Sequence, residues 1–450
     1  MPRYLASSKD RGPVARAVPR GMAAGLMVVC LTALLAADRP QVSRPRATSG
    51  DAEIEPVWSE RLTVTVGPAG ADLVGANARA LQAAVDYVAR LGGGTVKIQP
   101  GTYRLRNAIY LQSKVRLLGS GAETVLAKEA SAATKLAEDS DWYDQEITLA
   151  DATGFEIGDG VCLRARAAHK TIDDIAKRTL VARAGNRFKL DRPLRENFWR
   201  NGNATVTTLF PLVTGEGITD LVIENLVLDG NRAQNALLDG NYAGCIWFQD
   251  CSRIVIRGVT ARNYNGDGIS WQICHDVTVE DCVSENNAQL GLHPGSGSQR
   301  PVIRKNRIIG NDIGLFFCWG VKYGLAEENV LENNRVGISI GHRDTDNLIT
   351  RNDILRSREV GVLFRPEGGK DFAGHRNRLE ANRIVDTGGT NSVAVDVQGG
   401  TEGIVLRRNR IEETRGGAER TAVRLGPETR DIQLDANQIT GFATEVKQVK

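Results

Sequence analysis

From Gly268 onward a glycine followed by an aliphatic residue returns at nearly fixed spacing: Gly268-Ile269, Gly291-Leu292, Gly314-Leu315, Gly337-Ile338 and Gly361-Val362, at intervals of 23, 23, 23 and 24 residues. A unit this short cannot bury its own apolar face, so each copy must lie against the next and build one continuous core. Within the repeat, Val277-Thr278-Val279, Gly337-Ile338-Ser339-Ile340 and Gly361-Val362-Leu363-Phe364 are short, β-branched or aromatic, and alternate in polarity. They predict strands rather than helices. A second column keeps the same rhythm at Asn306, Asn329 and Asn352, with Asp281 in the preceding slot and Asn382, Asn409 and Asn437 continuing it more loosely. Stacked Asn side chains at turns would hydrogen-bond along the axis. Three short strands per coil and parallel stacking predict an all-β chain, a right-handed parallel β-helix with coils about 4.8 Å apart. Leucine-rich repeats are excluded by the missing Leu ladder.

At the N-terminus, Arg3, Lys9, Arg11, Arg16 and Arg20 precede an apolar run from Gly21 to Ala37. This predicts an export signal over residues 1–37, with Leu35-Ala36-Ala37 as cleavage site, a secreted or cell-envelope location, and a permanent anchor as the alternative. Residues 38–60 read as a linker. The first 50 residues carry a charge of +6 against +3 for the whole chain, so the remainder is near −3. No basic stripe with interleaved aromatics survives, which argues against nucleic acid as a partner. Cys251 and Cys274 stand one repeat apart, as either a disulfide or a stacked pair of buried thiols.

Residues 78 to 91 place Ala78, Leu81, Ala84, Val85, Val88 and Leu91 at helical spacing and end at Gly92-Gly93-Gly94. They predict a short helix capping the solenoid, within a first segment, 61–129, of cap and early coils. This block, with Asp72, Ala80-Leu81-Gln82-Ala83-Ala84-Val85-Asp86, Gly92-Gly93-Gly94-Thr95-Val96 and Pro100-Gly101-Thr102-Tyr103, resembles the entry segment of the pectate lyase superfamily. The nearest branch is the rhamnogalacturonase and epimerase-like group. The resemblance covers roughly residues 62 to 126 and implies the β-helix. It leaves the reaction open, because the superfamily mixes lyases, hydrolases, epimerases and structural members. Between residues 130 and 212 the rhythm stops, and Glu146-Ile147-Thr148-Leu149, Gly160-Val161-Cys162-Leu163 and Arg187-Phe188-Lys189-Leu190 predict a small β insertion. It would either shape one wall of a cleft or brace the main β-helix of residues 213–450.

Strand parity locates the outward face. Ile269/Trp271, Leu292/Pro294, Leu315/Phe317, Ile338/Ile340 and Val362/Phe364 alternate inward, so Ser270, His293, Phe316, Ser339 and Leu363, with Gln272, Gly295, Cys318, Gly341 and Arg365, point out. One coil earlier the same face carries Trp247 and Gln249. An open aromatic and polar groove would stack sugar rings on Trp247 and Phe316 and bond hydroxyls to Gln249, Ser270 and Gln272. The alternative is that the loop from Asn231 to Tyr242 covers these residues. Beyond the strands, Trp319, Lys322 and Tyr323 lie in one coil and His342, Arg343, Asp344 and Asp346 in the next, with Trp319 beside His342. Asp267 stands where other coils have Leu290, Ile313, Val336 and Val360, and an acid in an apolar column is costly unless used.

A uronate lyase or C5-epimerase needs a base for the proton beside the carboxylate and a cation to neutralise that carboxylate. His293 or His342 would be base, and Arg343 or Lys322 the neutralising cation, with Trp319, Tyr323 and Arg365 as further sugar contacts. Leu290-Gly291-Leu292-His293-Pro294 distantly resembles the alginate epimerase motif Tyr-Gly-Phe-Asp-Pro-His, with His293 at the motif's Asp, Gly295 at its His and Leu290 for its Tyr. Asn265-Gly266-Asp267-Gly268 resembles the Asn-Thr-Asp of polygalacturonases, and Gly341-His342-Arg343 faintly their Gly-His-Gly. The Asp-Asp pair that hydrolysis needs is replaced by Leu290-Gly291-Leu292-His293, so hydrolysis ranks second. A noncatalytic carbohydrate-binding or surface β-helix is the third reading. The expected partner is a polysaccharide, acidic for the first reading. No metal is assigned; calcium assistance stays open, but Asp344 and Asp346 alone are too few ligands.

Overall fold

One coil is the path Ser252–Arg257, Thr260–Arg262, Asp267–Gln272, and the next repeats it as His275–Glu280, Val283–Glu285, Leu290–Gly295. Each strand pairs in parallel with its counterpart one coil on, Ile254 with Val277, Ala261 with Ser284, Ile269 with Leu292. The computed structural model describes residues 55–166, 170–366, 369–416 and 419–449, so the expected signal of residues 1–37 lies outside the described residues. Among these, the three faces are sheets of 13, 11 and 11 strands, here called first, second and third in the order the chain meets them. Such parallel crossovers wind right-handed. No helix among the described residues is long and apolar enough to cross a membrane.

The interior is a stack of side chains in columns. Ile269, Trp271, Leu292, Leu315, Phe317, Ile338, Val362 and Phe364 are all fully buried, as the strand parity requires. Each such side chain contributes roughly 1.5–3 kcal/mol by leaving water. The stacked thiols of Cys251 and Cys274 belong to the same core and are free rather than bridged, with the Cys251 amide 3.4 Å from the Cys274 sulfur.

Corners are where a solenoid exposes backbone groups, and here amide ladders satisfy them. Between the first and second sheets, Asn306, Asn329, Asn352, Asn382 and Asn409 are each 1% exposed. The Asn329 carboxamide oxygen accepts from the Asn306 amide at 3.0 Å and its Nδ2 at 2.9 Å, while Asn329 Nδ2 donates to Ile303 O at 2.9 Å and Asn352 Oδ1 at 2.8 Å. The ladder begins at Cys282, whose amide donates to Asn306 Oδ1 at 3.0 Å. The expected Asp281 is therefore one residue out of the slot, in a left-handed turn at φ 53°. Two further ladders stand at the other corners: Asn287, Asn311 and Asn334 between the second and third sheets, and Asn347 and Asn377 at the remaining corner.

The N-terminal end is closed by helix α1, Ala78–Arg90. Asn77 caps it by accepting from the Ala80 amide at 3.1 Å, and Leu81, Ala84, Val85 and Val88 face the core. Gly93, at φ 106°, ends it where any Cβ would lie 2.2 Å from Lys114 O.

The break in rhythm is an antiparallel sheet whose neighbouring strands are Ala133–Lys135, Thr205–Thr207, Gly160–Ala165, Asp174–Ala184, Arg187–Leu190 and Glu146–Thr148. It has a core of its own, including Phe155, Leu163, Phe188 and Phe198. Arg106 fastens it to the early coils through two 2.8 Å bonds to Asp159. Nearby Lys128, 3% exposed, donates to Thr208 O at 2.8 Å, and burial pushes its amine down to about 7.

Two outcomes are expected. Asn329→Ala orphans the buried Asn306 amide and carboxamide donors on the preceding coil and takes a donor from Asn352 Oδ1 on the next, and should lower unfolding free energy by about 3 kcal/mol in denaturant titrations, against under about 0.5 kcal/mol for exposed Arg307→Ala. Because unfolded lysine keeps its proton to about 10.4, the unfolded chain binds more protons than the folded one between about pH 7 and 10. Stability should therefore rise with pH across that window, with a smaller slope of Tm against pH in Lys128→Met; equal slopes would contradict it.

Candidate functional site

On the third sheet the outward positions stand side by side, Trp247 against Ser270, Ser270 against His293, and Phe316 against Ser339. They leave the core as parity requires, yet most of them do not meet solvent. Trp247 is 3% exposed, Ser270 0%, Gln272 5%, His293 2% and Arg365 6%. The expected open groove is thus corrected in favour of its alternative. The loop from Asn231 to Tyr242 folds across this face, and the insertion closes its N-terminal end.

Asp267 accepts from His293 Nδ1 at 2.8 Å and from the Leu290 amide at 3.1 Å. Burial pushes its carboxyl up, against the pull of His293. Ser270 Oγ donates to Gly240 O at 2.8 Å and lies 3.2 Å from His293 Nδ1. Gln272 Nε2 reaches Ser270 Oγ at 3.3 Å, and its side chain lies over Gly295, where any Cβ would come within 2.3 Å of Gln272 Oε1. The covering loop is pressed tight here: a Cβ on Gly240 would sit 1.7 Å from Asp267 Oδ2. His293 Nε2 is buried without a hydrogen-bond partner. Asp267, Ser270 and His293 form a sealed cluster, closed to a polymer in this conformation.

A strip of rings and cations continues along the axis. Phe316, half-buried, lies 5.3 Å from the His293 ring and 4.4 Å from the Arg365 guanidinium. Arg365 also donates to Ser339 Oγ at 2.8 Å and approaches His342 Nδ1 at 3.4 Å and Asp344 at 3.3 Å. Asp344 accepts the amides of Gly320, Val321 and Gly341 at 2.9 Å each, so it fastens two turns. His342 packs on Trp319 at 5.3 Å and Phe372 at 5.1 Å, with the Arg343 guanidinium 4.6 Å from the Phe372 ring. Trp319, 56% exposed, and the exposed Arg343 are the open members. Lys322 is half-buried on the same turn, whereas Tyr323, 7% exposed, offers no open ring to a sugar. The pairing of Arg365 with Glu367 that their closeness in the sequence allows lies outside the described residues.

The residues that sequence reasoning missed are on the insertion. Lys177, Arg178, Arg192 and Arg195 face Glu216, Tyr242, Trp247 and Gln249 across a cavity of about 520 Å³. Lys177 Nζ lies 3.2 Å from the centre of the Trp247 ring and donates to Tyr242 O at 2.5 Å. Burial pushes this amine down to about 7. The Trp247 face expected to stack a sugar is therefore taken by an ammonium, while its indole Nε1 is buried without a partner. Arg178 is spent on the backbone carbonyls of Lys177, Arg192 and Pro193. Arg192 and Arg195 are exposed at the rim, Arg192 only loosely paired with Glu216 at 3.9 Å. Alternation could have found Lys177: Ala176 and Leu180 enter the insertion's core, so Lys177 points the other way.

Residues 200–400 match the family model described as periplasmic copper-binding protein (NosD). No curated protein sequence matches significantly. Solved structures of similar shape include the polygalacturonase of Erwinia carotovora ssp. carotovora, at 12% identity over 91% of this chain and 98% of that one, with a TM-score of 0.49. Another is the A-module of a mannuronan C-5 epimerase from Azotobacter vinelandii, at 15% identity over 83% and 95%, TM-score 0.47. A third is a tailspike of the Acinetobacter baumannii bacteriophage AP22 in complex with a capsular saccharide, at 11% identity over 82% and 69%, TM-score 0.35.

Copper is in the matched family's description, so the donor set bears on it. Among the described residues no three His, Cys, Asp or Glu side chains converge as metal ligands. His293 Nδ1 is committed to Asp267, and the Cys251 and Cys274 sulfurs bond carbonyls inside the core, at 3.0 Å to Gln249 O and 3.2 Å to Gln272 O. These residues do not fit a copper centre.

Gly240→Ala should force the covering loop off Asp267, seen as faster amide exchange across Asp239–Ala243 than in wild type; unchanged exchange would contradict the packing. By its period, its three parallel sheets and its capped end, the chain is a right-handed parallel β-helix.

Proposed function

We propose that the protein binds an acidic polysaccharide in the cavity between insertion and third sheet and abstracts the proton beside a uronate carboxylate, as a lyase or C5-epimerase does. The observation that carries this reading is Lys177, an amine pushed down to about 7 in a cavity rimmed by Arg192 and Arg195. A base works best when its pKa is near the working pH, and buried lysines are tuned to that range. The neutral amine takes the C5 proton, and the electron pair delocalises into the carboxylate, which the two arginines neutralise. Expulsion of the C4 oxygen, which takes a proton from the Lys177 ammonium or from water, then gives an unsaturated sugar, whereas protonation of C5 by solvent water on the opposite face inverts it. The unpartnered Trp247 N–H is available to a sugar oxygen.

In this reading Lys177 replaces His293 and His342 as base, because His293 is sealed and His342 stands on the turn with Trp319. Trp319, His342 and Arg343 become an outer subsite, three to four coils or roughly 14–19 Å along the axis from Trp247. Hydrolysis through Asp267 is disfavoured, since its carboxylate is fully buried against His293. Binding without catalysis is the second reading, favoured by the hydrogen bond that already holds Lys177 to Tyr242 O. A cell-envelope location accords with the family description, which reads periplasmic.

The test is a panel of uronate and neutral polysaccharides, followed by ultraviolet absorbance of unsaturated product, by reducing ends, and by exchange of the C5 proton with deuterated solvent. The expected result is turnover on a uronate polymer that falls at least about 100-fold in Lys177→Met. Undiminished turnover in that variant, or reducing ends without unsaturation, would overturn it.

A further inference from the structure

The sealed cluster and the cavity share one loop. Asp239–Ala243 is turned by bonds from the Tyr242 and Ala243 amides to Asp239 O, at 2.9 and 3.1 Å. Its Gly240 end lies on the cluster: Gly240 O accepts from Ser270 Oγ at 2.8 Å, and the absence of a side chain lets the backbone seat against Asp267. Gln289 Oε1, 3.3 Å from the Gly240 amide, holds the same end from the neighbouring coil. Two residues on, Tyr242 O accepts from Lys177 Nζ. The loop is thus fixed at one end by buried polar groups and fixes an insertion lysine at the other.

We propose that Asp267, His293 and Ser270 are positioning residues: by pinning Asp239–Ala243 they set where the Tyr242 carbonyl stands, and so hold the Lys177 ammonium over the Trp247 ring. The chemistry of the cluster fits this role. His293 Nδ1–H is consumed by Asp267, which orients the imidazole, and the Ser270 hydroxyl is left to donate outward to the loop. Three polar side chains at 0 to 2% exposure are costly to bury, and the loop is what they hold. An isolated carbonyl on an unpinned loop would hold a long lysine side chain poorly, because ordering that chain costs rotamer freedom that one hydrogen bond must offset. The cluster also accounts for Asp267 in a column that is aliphatic in the other coils.

This inference rests on Lys177 as the working group of the proposed function, and it is tested without substrate. The full chain, labelled with ¹³C at lysine Cε, is compared by NMR as wild type, Ser270→Ala and Gly240→Ala, with Lys177→Met assigning the signal. An ε-methylene over the indole face carries an upfield ring-current shift. Wild type should show it, and both loop variants, still unfolding cooperatively, should lose most of it. In parallel their Lys177 titration should move toward the ordinary lysine range, with a smaller neutral fraction at neutral pH. A ring-current shift retained in both folded variants, or absent from wild type, would overturn the positioning role. A shift that behaves as expected on a lysine titrating like any other would leave the positioning role standing and sink the base reading instead.

Discussion

Everything in this molecule depends on how a coil satisfies its corners. A strand finds partners above and below it, but a turn between sheets leaves amides and carbonyls with no ladder, and burying them unpaired costs about 1–3 kcal/mol each. Columns of Asn solve this by letting one carboxamide accept from the coil before it and donate to the coil after it, as Asn306, Asn329 and Asn352 do. Once the corners lock the register, every inward side chain lies over its own kind and every outward one is aligned into a column. A site on such a scaffold is therefore a property of columns rather than of single loops.

The outward columns of the third sheet are finished by two elements that break the repeat. The loop through Gly240 seals Asp267, Ser270 and His293, and the insertion brings Lys177, Arg192 and Arg195 against Trp247 and Gln249. A regular solenoid surface offers only a shallow strip, as at Trp319 and His342. The insertion converts part of that strip into a cavity, and desolvation there moves an amine toward neutrality. Fold and chemistry are joined at this point: the rigid coil supplies one wall and the inserted sheet supplies the charge.

Much of the scaffold was legible in the chain. The glycine period fixed coil length, and parity separated Trp271 and Phe317, inside, from Ser270 and Phe316, outside. The Asn column was legible too, though its first slot is Cys282 rather than Asp281, because a one-residue difference at a turn does not show in the spacing. Pointing outward proved not to mean being open: Trp247 and His293 leave the core and are covered by segments whose positions no period predicts. Alternation points Lys177 out of the insertion's core, but its role was hidden for a related reason. Its significance comes from Trp247, 70 residues away, and only the docking of the insertion brings the two together. The anomaly of Asp267 was visible, but its partner His293 is one coil on, and the Gly240 loop between them and solvent was read as one of two alternatives.

The most direct test of the account is the structure of the protein with a bound uronate oligosaccharide. The account predicts a sugar carboxylate against Arg192 and Arg195, with Lys177 Nζ in contact with the carbon beside it and a sugar oxygen within hydrogen-bond distance of Trp247 Nε1. An oligosaccharide seated on the Trp319 turn alone, with Lys177 untouched over the indole, would contradict it.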